Sequence, residues 1–265
     1  MQNMASARGP VMEAVLTAFA TEPGEWPEDV ELYQPDKSNM LLTDAAKCTS
    51  VEVYLKFCRL PYTSKFCQNA EFMSPNGEVP LLRAKKEIAG GTQAVFSYVQ
   101  NKGLSTSNDL EPQEKAEMMA YISLVEMSLL PAELHMLWCN KDWSLRSRHQ
   151  YGNQYPLPLN VILSYKKKWS VWSYLRAINW HLKTEQEVIE EFKRCCQALS
   201  EKLGDHNYFM QDRPTELDAI VFGHLYALLT RYQVNDSLSS VVRKHKNLMD
   251  FVNRIVENFM SFTER

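Results

Sequence analysis

The chain of 265 residues is 45% hydrophobic and 23% charged, with only 9 glycines. That composition excludes a disordered or low-complexity protein and leaves material for one large or two modest cores. Basic and acidic residues nearly balance, at 29 and 32, and no window reaches the roughly 18 uninterrupted apolar residues of a membrane span.

The N-terminal run Val11-Met12-Glu13-Ala14-Val15-Leu16 contains an acid and has no basic lead, so it reads as neither a secretory signal nor a transit peptide. Association with a membrane is therefore expected to be peripheral or through a partner. Residues 1–29 read as an N-terminal arm.

Val30-Glu31-Leu32-Tyr33 predicts a short strand, residues 43–60 an amphipathic helix and residues 62–67 a second strand. Gly77-Glu78-Val79-Pro80-Leu81-Leu82 follows. A proline at the mouth of a strand cannot donate to a ladder, so Pro80 is expected where the chain turns in, with a cis Val79–Pro80 bond. Residues 81–84 and 87–89 predict a hairpin turning at Lys85-Lys86, and residues 92–102 a helix stopped by Gly103. Strand, helix, strand, proline, hairpin and helix make a thioredoxin-like unit over residues 30–103.

From residue 104 to 265 the pattern is helical. Residues 104–110 read as a linker, and Pro112 suits a first helical turn. Met118, Ile122, Val125 and Leu129 keep helical spacing until Pro131, which is expected to kink or interrupt the helix. Residues 151–158, with Pro156 and Pro158, predict an extended loop. Ile162, Tyr165, Trp169, Trp172, Leu175, Ile178 and Leu182 predict one apolar stripe facing the core.

A helix over residues 188–203 stops at Gly204. Thr215 and Asp218 form a variant capping box for the next helix, worth roughly 1 kcal/mol per cap. Residues 219–229 are apolar all round, which marks a central buried helix, and Gly223 within it would let a neighbour approach closely. Residues 238–259 predict a last amphipathic helix, with His245 packed on its apolar stripe. The sum is a glutathione-transferase-like fold, mostly α with a small α+β N-terminal unit, and the junction Leu60-Pro61-Tyr62 strengthens that match.

Such an enzyme needs a hydroxyl or thiol just past the first strand, and an acid followed by Ser or Thr at the start of the helix after the hairpin. The first requirement finds Tyr33, which a strand position also explains, and Ser38, which a loop position also explains. The second finds Gly91-Thr92, where the hydroxyl is present and the acid is not. The scaffold without the catalyst is the preferred reading; a glutathione-dependent transferase using Tyr33 or Ser38 is the alternative. The six cysteines, 48, 58, 67, 139, 195 and 196, form no C-x-x-C pair and have no histidines at metal-ligand spacing. Free thiols are expected, and neither metal nor cofactor. Cys48 stands near a helix start, which can lower a thiol pKa, but a plain core or surface thiol is the preferred reading.

From Trp143 to Lys183 there is no Asp or Glu, yet the stretch holds Arg146, Arg148, Lys166, Lys167, Lys168, Arg176 and Lys183. The remainder of the chain carries 22 basic against 32 acidic residues. A basic and aromatic face on an acidic body is expected to meet lipid head groups or an acidic partner. Nucleic acid is excluded as a partner, because no recognition motif accompanies the basic residues and the whole chain is acidic.

Several longer blocks resemble the metaxin family, and more closely its type 2 branch. They are Asn69-Ala70-Glu71-Phe72-Met73-Ser74-Pro75-Asn76-Gly77-Glu78-Val79-Pro80, Lys115-Ala116-Glu117-Met118 with Ala120-Tyr121, and Tyr155-Pro156-Leu157-Pro158-Leu159-Asn160. Cys195-Cys196-Gln197-Ala198-Leu199-Ser200 and the segment from Pro214 through Tyr226 complete the set. Departures lie in the first 29 residues, in a loop over residues 141–150 and at Gly90-Gly91. The resemblance implies a non-catalytic subunit, peripheral at the cytosolic face of the mitochondrial outer membrane. It would act with the β-barrel core subunit of the sorting and assembly machinery in importing and inserting β-barrel proteins. An anchored type 1 metaxin is the implied partner that holds it there, and for some animal members motor-adaptor proteins are implied as well. The end Phe262-Thr263-Glu264-Arg265, without a hydrophobic tail, agrees with type 2.

Overall fold

Strands β1 (Val30–Gln34), β2 (Thr63–Phe66), β3 (Leu81–Ala84) and β4 (Glu87–Gly90) form one sheet in the order β2-β1-β3-β4. This is a computed structural model, and it describes residues 24–210, 213–231 and 236–260. Helix α1 (Leu42–Phe57) carries the crossover that makes β1 and β2 parallel, and β3 pairs antiparallel with both β1 and β4. Alternation along β1 buries Val30, Leu32 and Gln34 and turns Glu31 and Tyr33 to the other face. Every residue of β2 is exposed, as an edge strand carrying Lys65 tolerates. The short helix α2 (Ala70–Met73) precedes the cis Val79–Pro80 bond, and α3 (Thr92–Asn101) follows the hairpin.

Helices α4 (Pro112–Trp138), α5 (Lys141–Gly152), α6 (Leu159–Ala177), α7 (Glu185–Leu203), α8 (Glu216–Thr230) and α9 (Ser237–Arg243) follow. Helix α10 (Lys246–Ile255) and a π turn over Val256–Met260 close the described residues. Helix α8 is central. Its residues from Glu216 to Leu225 are all buried, and its cap is reciprocal. The Thr215 hydroxyl and backbone N–H each donate to Asp218 Oδ2 at 2.8 Å, while Phe209 N donates to Oδ1 at 2.9 Å.

Helix α1 lies directly on α8. A Cβ at Gly223 would press into Ser50 Oγ and the Ala46 carbonyl, so glycine is what permits this approach. Beside that crossing, Tyr54 OH donates to the buried Glu216 Oε1 at 2.8 Å, and the Ser105 and Ser107 hydroxyls donate to the same oxygen at 2.6 and 2.9 Å. The sheet unit and the helical unit are thus fastened by a polar cluster within an apolar seam.

Several sequence expectations require correction. Pro131 does not interrupt α4, which is continuous through it; the buried face around Leu129, Ala132 and Met136 offsets the one lost backbone bond. Residues 141–152, expected as loop, form α5. Only 153–158 connect it to α6, with a second cis bond at Leu157–Pro158. The expected single helix over residues 238–259 is two. His245 is extended, half-buried and outside any apolar stripe, and it stands at the start of α10.

The largest correction concerns α6. Its stripe does not face the core: Ile162, Tyr165, Trp169 and Trp172 are exposed, and so is Leu182 beyond the helix. The buried face carries Ser164, Val171 and Leu175 instead. Steps of three residues fall about 60° short of a full turn. The run Trp172, Leu175, Ile178 therefore winds around the helix, from solvent at Trp172 to the core at Leu175.

Residues 1–23 of the expected N-terminal arm, and the end at 262–265, lie outside the described residues. The described part of the arm packs on the sheet unit. Trp26 Nε1 donates to the Pro61 carbonyl at 2.8 Å, and its ring meets Tyr98 edge-on at 5.8 Å.

Candidate functional site: the cleft between sheet and helices

A cleft of about 370 Å³ opens between the start of α1, the loop before β3, and helices α4 and α6. One wall is apolar, with Leu130, Leu134, Val171 and Tyr174. The other is charged, with Asp44, Lys47, Glu71, Glu78, Lys166 and Lys167. Two ion pairs organise the charges. Lys167 Nζ lies 2.9 Å from Glu71 Oε1, and Tyr151 OH donates to the second Glu71 oxygen at 3.0 Å. Lys47 Nζ lies 3.1 Å from Glu78 Oε1. Burial works against the Lys167 charge, but the carboxylates of Asp44 and Glu71 outweigh it and raise the ammonium pKa.

The turn where a transferase would grip the amino end of its peptide is built differently here. Gly91 has φ +83°, and its N–H donates to the Pro80 carbonyl at 2.8 Å. A side chain at 91 would collide with the Glu78 carboxylate, so an acid reaches this point from the loop before β3 and is already paired with Lys47. Asn76 holds the loop in place, donating to the Gly90 carbonyl at 2.9 Å and accepting from Glu78 N at 3.1 Å. The Thr92 hydroxyl is buried with no hydrogen-bond partner.

Neither proposed nucleophile holder reaches the cleft. Tyr33 lies on the outer face of β1, where its hydroxyl donates to Glu31 at 3.0 Å and Arg83 stacks on its ring at 5.3 Å. Its hydrogen bond to Glu31 raises the phenol pKa, the wrong direction for holding a thiolate by ionisation. Ser38 is exposed in the turn after β1 and borders a separate cavity with Arg146, His149 and Arg231. Cys48 is fully buried, and burial together with the neighbouring Asp44 pushes its pKa well up, opposite to a helix-terminus effect. Burial likewise pushes the Cys196 thiol up to about 12.

The structure separates the other candidates. Val79 borders the cleft, whereas Thr215, Asp218 and Gly223 serve the α1–α8 packing. The seven basic residues do not share one face. Lys166 and Lys167 border the cleft, Lys168 donates to Ser144 Oγ at 2.8 Å, and Lys183 pairs with Glu191 at 2.9 Å. Arg148 stacks on Tyr165 at 4.0 Å and Arg176 on Trp172 at 5.3 Å. Glu71, Asp44 and Lys47 were missed as cleft residues. Only the block from Asn69 to Pro80, which contains Glu71 and Glu78, marked the area.

Residues 48–168 match the family described as outer mitochondrial membrane transport complex protein, and residues 192–255 match the glutathione S-transferase C-terminal domain. Human metaxin-2 is 43% identical over 252 residues, covering 94% of this chain and 95% of the relative. The chain belongs to the metaxin family. Mouse metaxin-1 is 27% identical over 78% of this chain, which places the protein in the type 2 branch of the metaxins. Among solved structures, a glutathione transferase family member from Pseudomonas fluorescens superposes with a TM-score of 0.57, covering 92% of this chain and 94% of its own. At 15% identity that likeness establishes the fold that the metaxin shares, and nothing of its chemistry.

Proposed function

We propose that this chain is a non-catalytic subunit of the mitochondrial outer-membrane sorting and assembly machinery. In this reading it aids the import and insertion of β-barrel proteins. It is held at the cytosolic face by a membrane-anchored type 1 metaxin and works beside the β-barrel core subunit. The division into an arm (1–29), a thioredoxin-like unit (30–103) and a helical unit (104–265) belongs to the same proposal. Membership of the metaxin family supports the setting. Among the described residues no helix is long and apolar enough to cross a membrane, which fits attachment through a partner.

The observation that carries the non-catalytic reading is the Glu78 carboxylate over Gly91. Glu78 is spent on Lys47, and neither Tyr33 nor Ser38 supplies a hydroxyl to the cleft beside it. The decisive experiment is cross-linking in isolated mitochondria with identification of neighbours, combined with insertion of a radiolabelled β-barrel precursor into mitochondria depleted of the chain. Neighbours among the assembly machinery and slowed insertion are expected. Unchanged insertion with no such neighbour would overturn the proposal, as would thiol conjugation abolished by Tyr33→Phe or Ser38→Ala.

A further inference from the structure

The outward face of α6 is costly to leave in water. Trp169 is 69% exposed, Ile162 59% and Tyr165 53%, and together with Trp172 they run along one side of the helix over roughly 15 Å, with Leu157, 78% exposed, in the loop just before it. Leu145 on the neighbouring α5 is 65% exposed, between the two points where α5 meets α6, Ser144 at Lys168 and Arg148 at Tyr165. A contiguous exposed face of this kind marks an interaction surface.

Its charge identifies the occupant. From Trp143 to Lys183, the segment that holds nearly all of α5 and the whole of α6, there is no carboxylate side chain. The guanidinium groups of Arg148 and Arg176 lie over the rings of Tyr165 and Trp172, 4.0 and 5.3 Å from their centroids, so positive charge is held beside the aromatic rings. Lys166 is exposed on the same helix. Trp and Tyr rings with leucine and isoleucine between them, rimmed by guanidinium and ammonium groups, match the boundary between head groups and acyl chains. Apolar parts can enter there while the cations meet phosphates. A partner protein would be matched by such a face only if it were strongly acidic.

We propose that this face of α6 is a monotopic contact surface for an anionic lipid bilayer, with Trp169 and Ile162 entering the acyl boundary. The inference rests on the reading that the chain works at the outer membrane and adds a direct lipid contact to the hold of a protein partner.

The test uses the full chain and vesicles containing no protein, so its outcome is independent of the import experiment. The vesicles are phosphatidylcholine alone, or phosphatidylcholine with phosphatidylserine at about 7:3, a PS-rich surface. Flotation with the anionic vesicles is expected, as is quenching of tryptophan emission by brominated acyl chains that is reduced in Trp169→Phe. Trp169→Ser combined with Ile162→Ser should lower partitioning by about tenfold or more, with an unchanged melting curve because both side chains are exposed. Lys166→Glu with Arg176→Glu should weaken binding to anionic vesicles several-fold. If the serine variant does not fold, the quenching of the native chain decides the question. No flotation, quenching that Trp169→Phe leaves unchanged, or a serine variant that floats like the native chain would overturn the proposal. A native dimer that the serine variant converts to monomer, without any lipid binding, would assign the face to a second copy and overturn it as well.

Discussion

Lys167 on α6 and Glu71 on α2 join the two units across the cleft, with Nζ 2.9 Å from Oε1 and each side chain 22% exposed. Lys167 thus carries charge that the fold uses internally, although in the sequence it stands between two lysines with other duties. Lys168 turns to Ser144 and Lys166 to the cleft mouth.

Lys167→Ala is expected to destabilise the protein by about 1–3 kcal/mol, because it leaves Glu71 partly buried with only Tyr151 as a donor. Lys166→Ala should stay within about 0.5 kcal/mol of the native chain, as exposed substitutions generally do. Urea unfolding of the two variants checks the contrast. A test of surface charge must therefore leave Lys167 in place.

Gly223→Ala should destabilise by about 1–3 kcal/mol or more, since the added methyl meets the Ala46 carbonyl and Ser50 rather than a flexible side-chain end. The same unfolding measurement applies, and a neutral result would mean that α1 can move off α8 freely.

Asp218 gives a pH signature. Burial raises its pKa to about 6 from 3.8, against the lowering effect of the hydrogen bonds from Phe209 and Thr215. The folded state therefore holds this proton more tightly than the unfolded chain. The group's contribution is fully present below about pH 4 and is lost as pH rises through about 6, on the order of 3 kcal/mol in all. Urea unfolding between pH 4 and 7 should show this component, and Asp218→Asn should remove it while weakening the cap.

Thr92→Val removes a buried hydroxyl that has no partner, so stability should stay level or rise by up to about 1 kcal/mol. In a transferase this hydroxyl would grip the substrate. A large loss of stability in calorimetry would reveal a partner for Thr92 that the cleft geometry does not provide.

The sequence determined the elements whose signals are local. Pro80 before an apolar pair, the Lys85-Lys86 turn, the Thr215–Asp218 cap and the apolar run around Gly223 each act through near neighbours, and the blocks resembling metaxins fixed the family. Helix α5 was less legible because its buried residues, Trp143, Ser147 and Tyr151, keep helical spacing with a serine in the middle, which dilutes the apolar signal. Only the tertiary structure decided which side of α6 meets the core and what fills the cleft. Periodicity reports that a stripe exists, but not which way it points. Direction is set by the packing of α6 on α4 and α5, which leaves Ser164, Val171 and Leu175 buried and Trp169 and Trp172 outside. The Lys167–Glu71 and Lys47–Glu78 pairs join residues 96 and 31 positions apart. No spacing rule links charges so distant in the chain: Lys167 meets Glu71 because the helical unit folds back over the sheet unit, and Lys47 meets Glu78 because the loop before β3 returns beside α1.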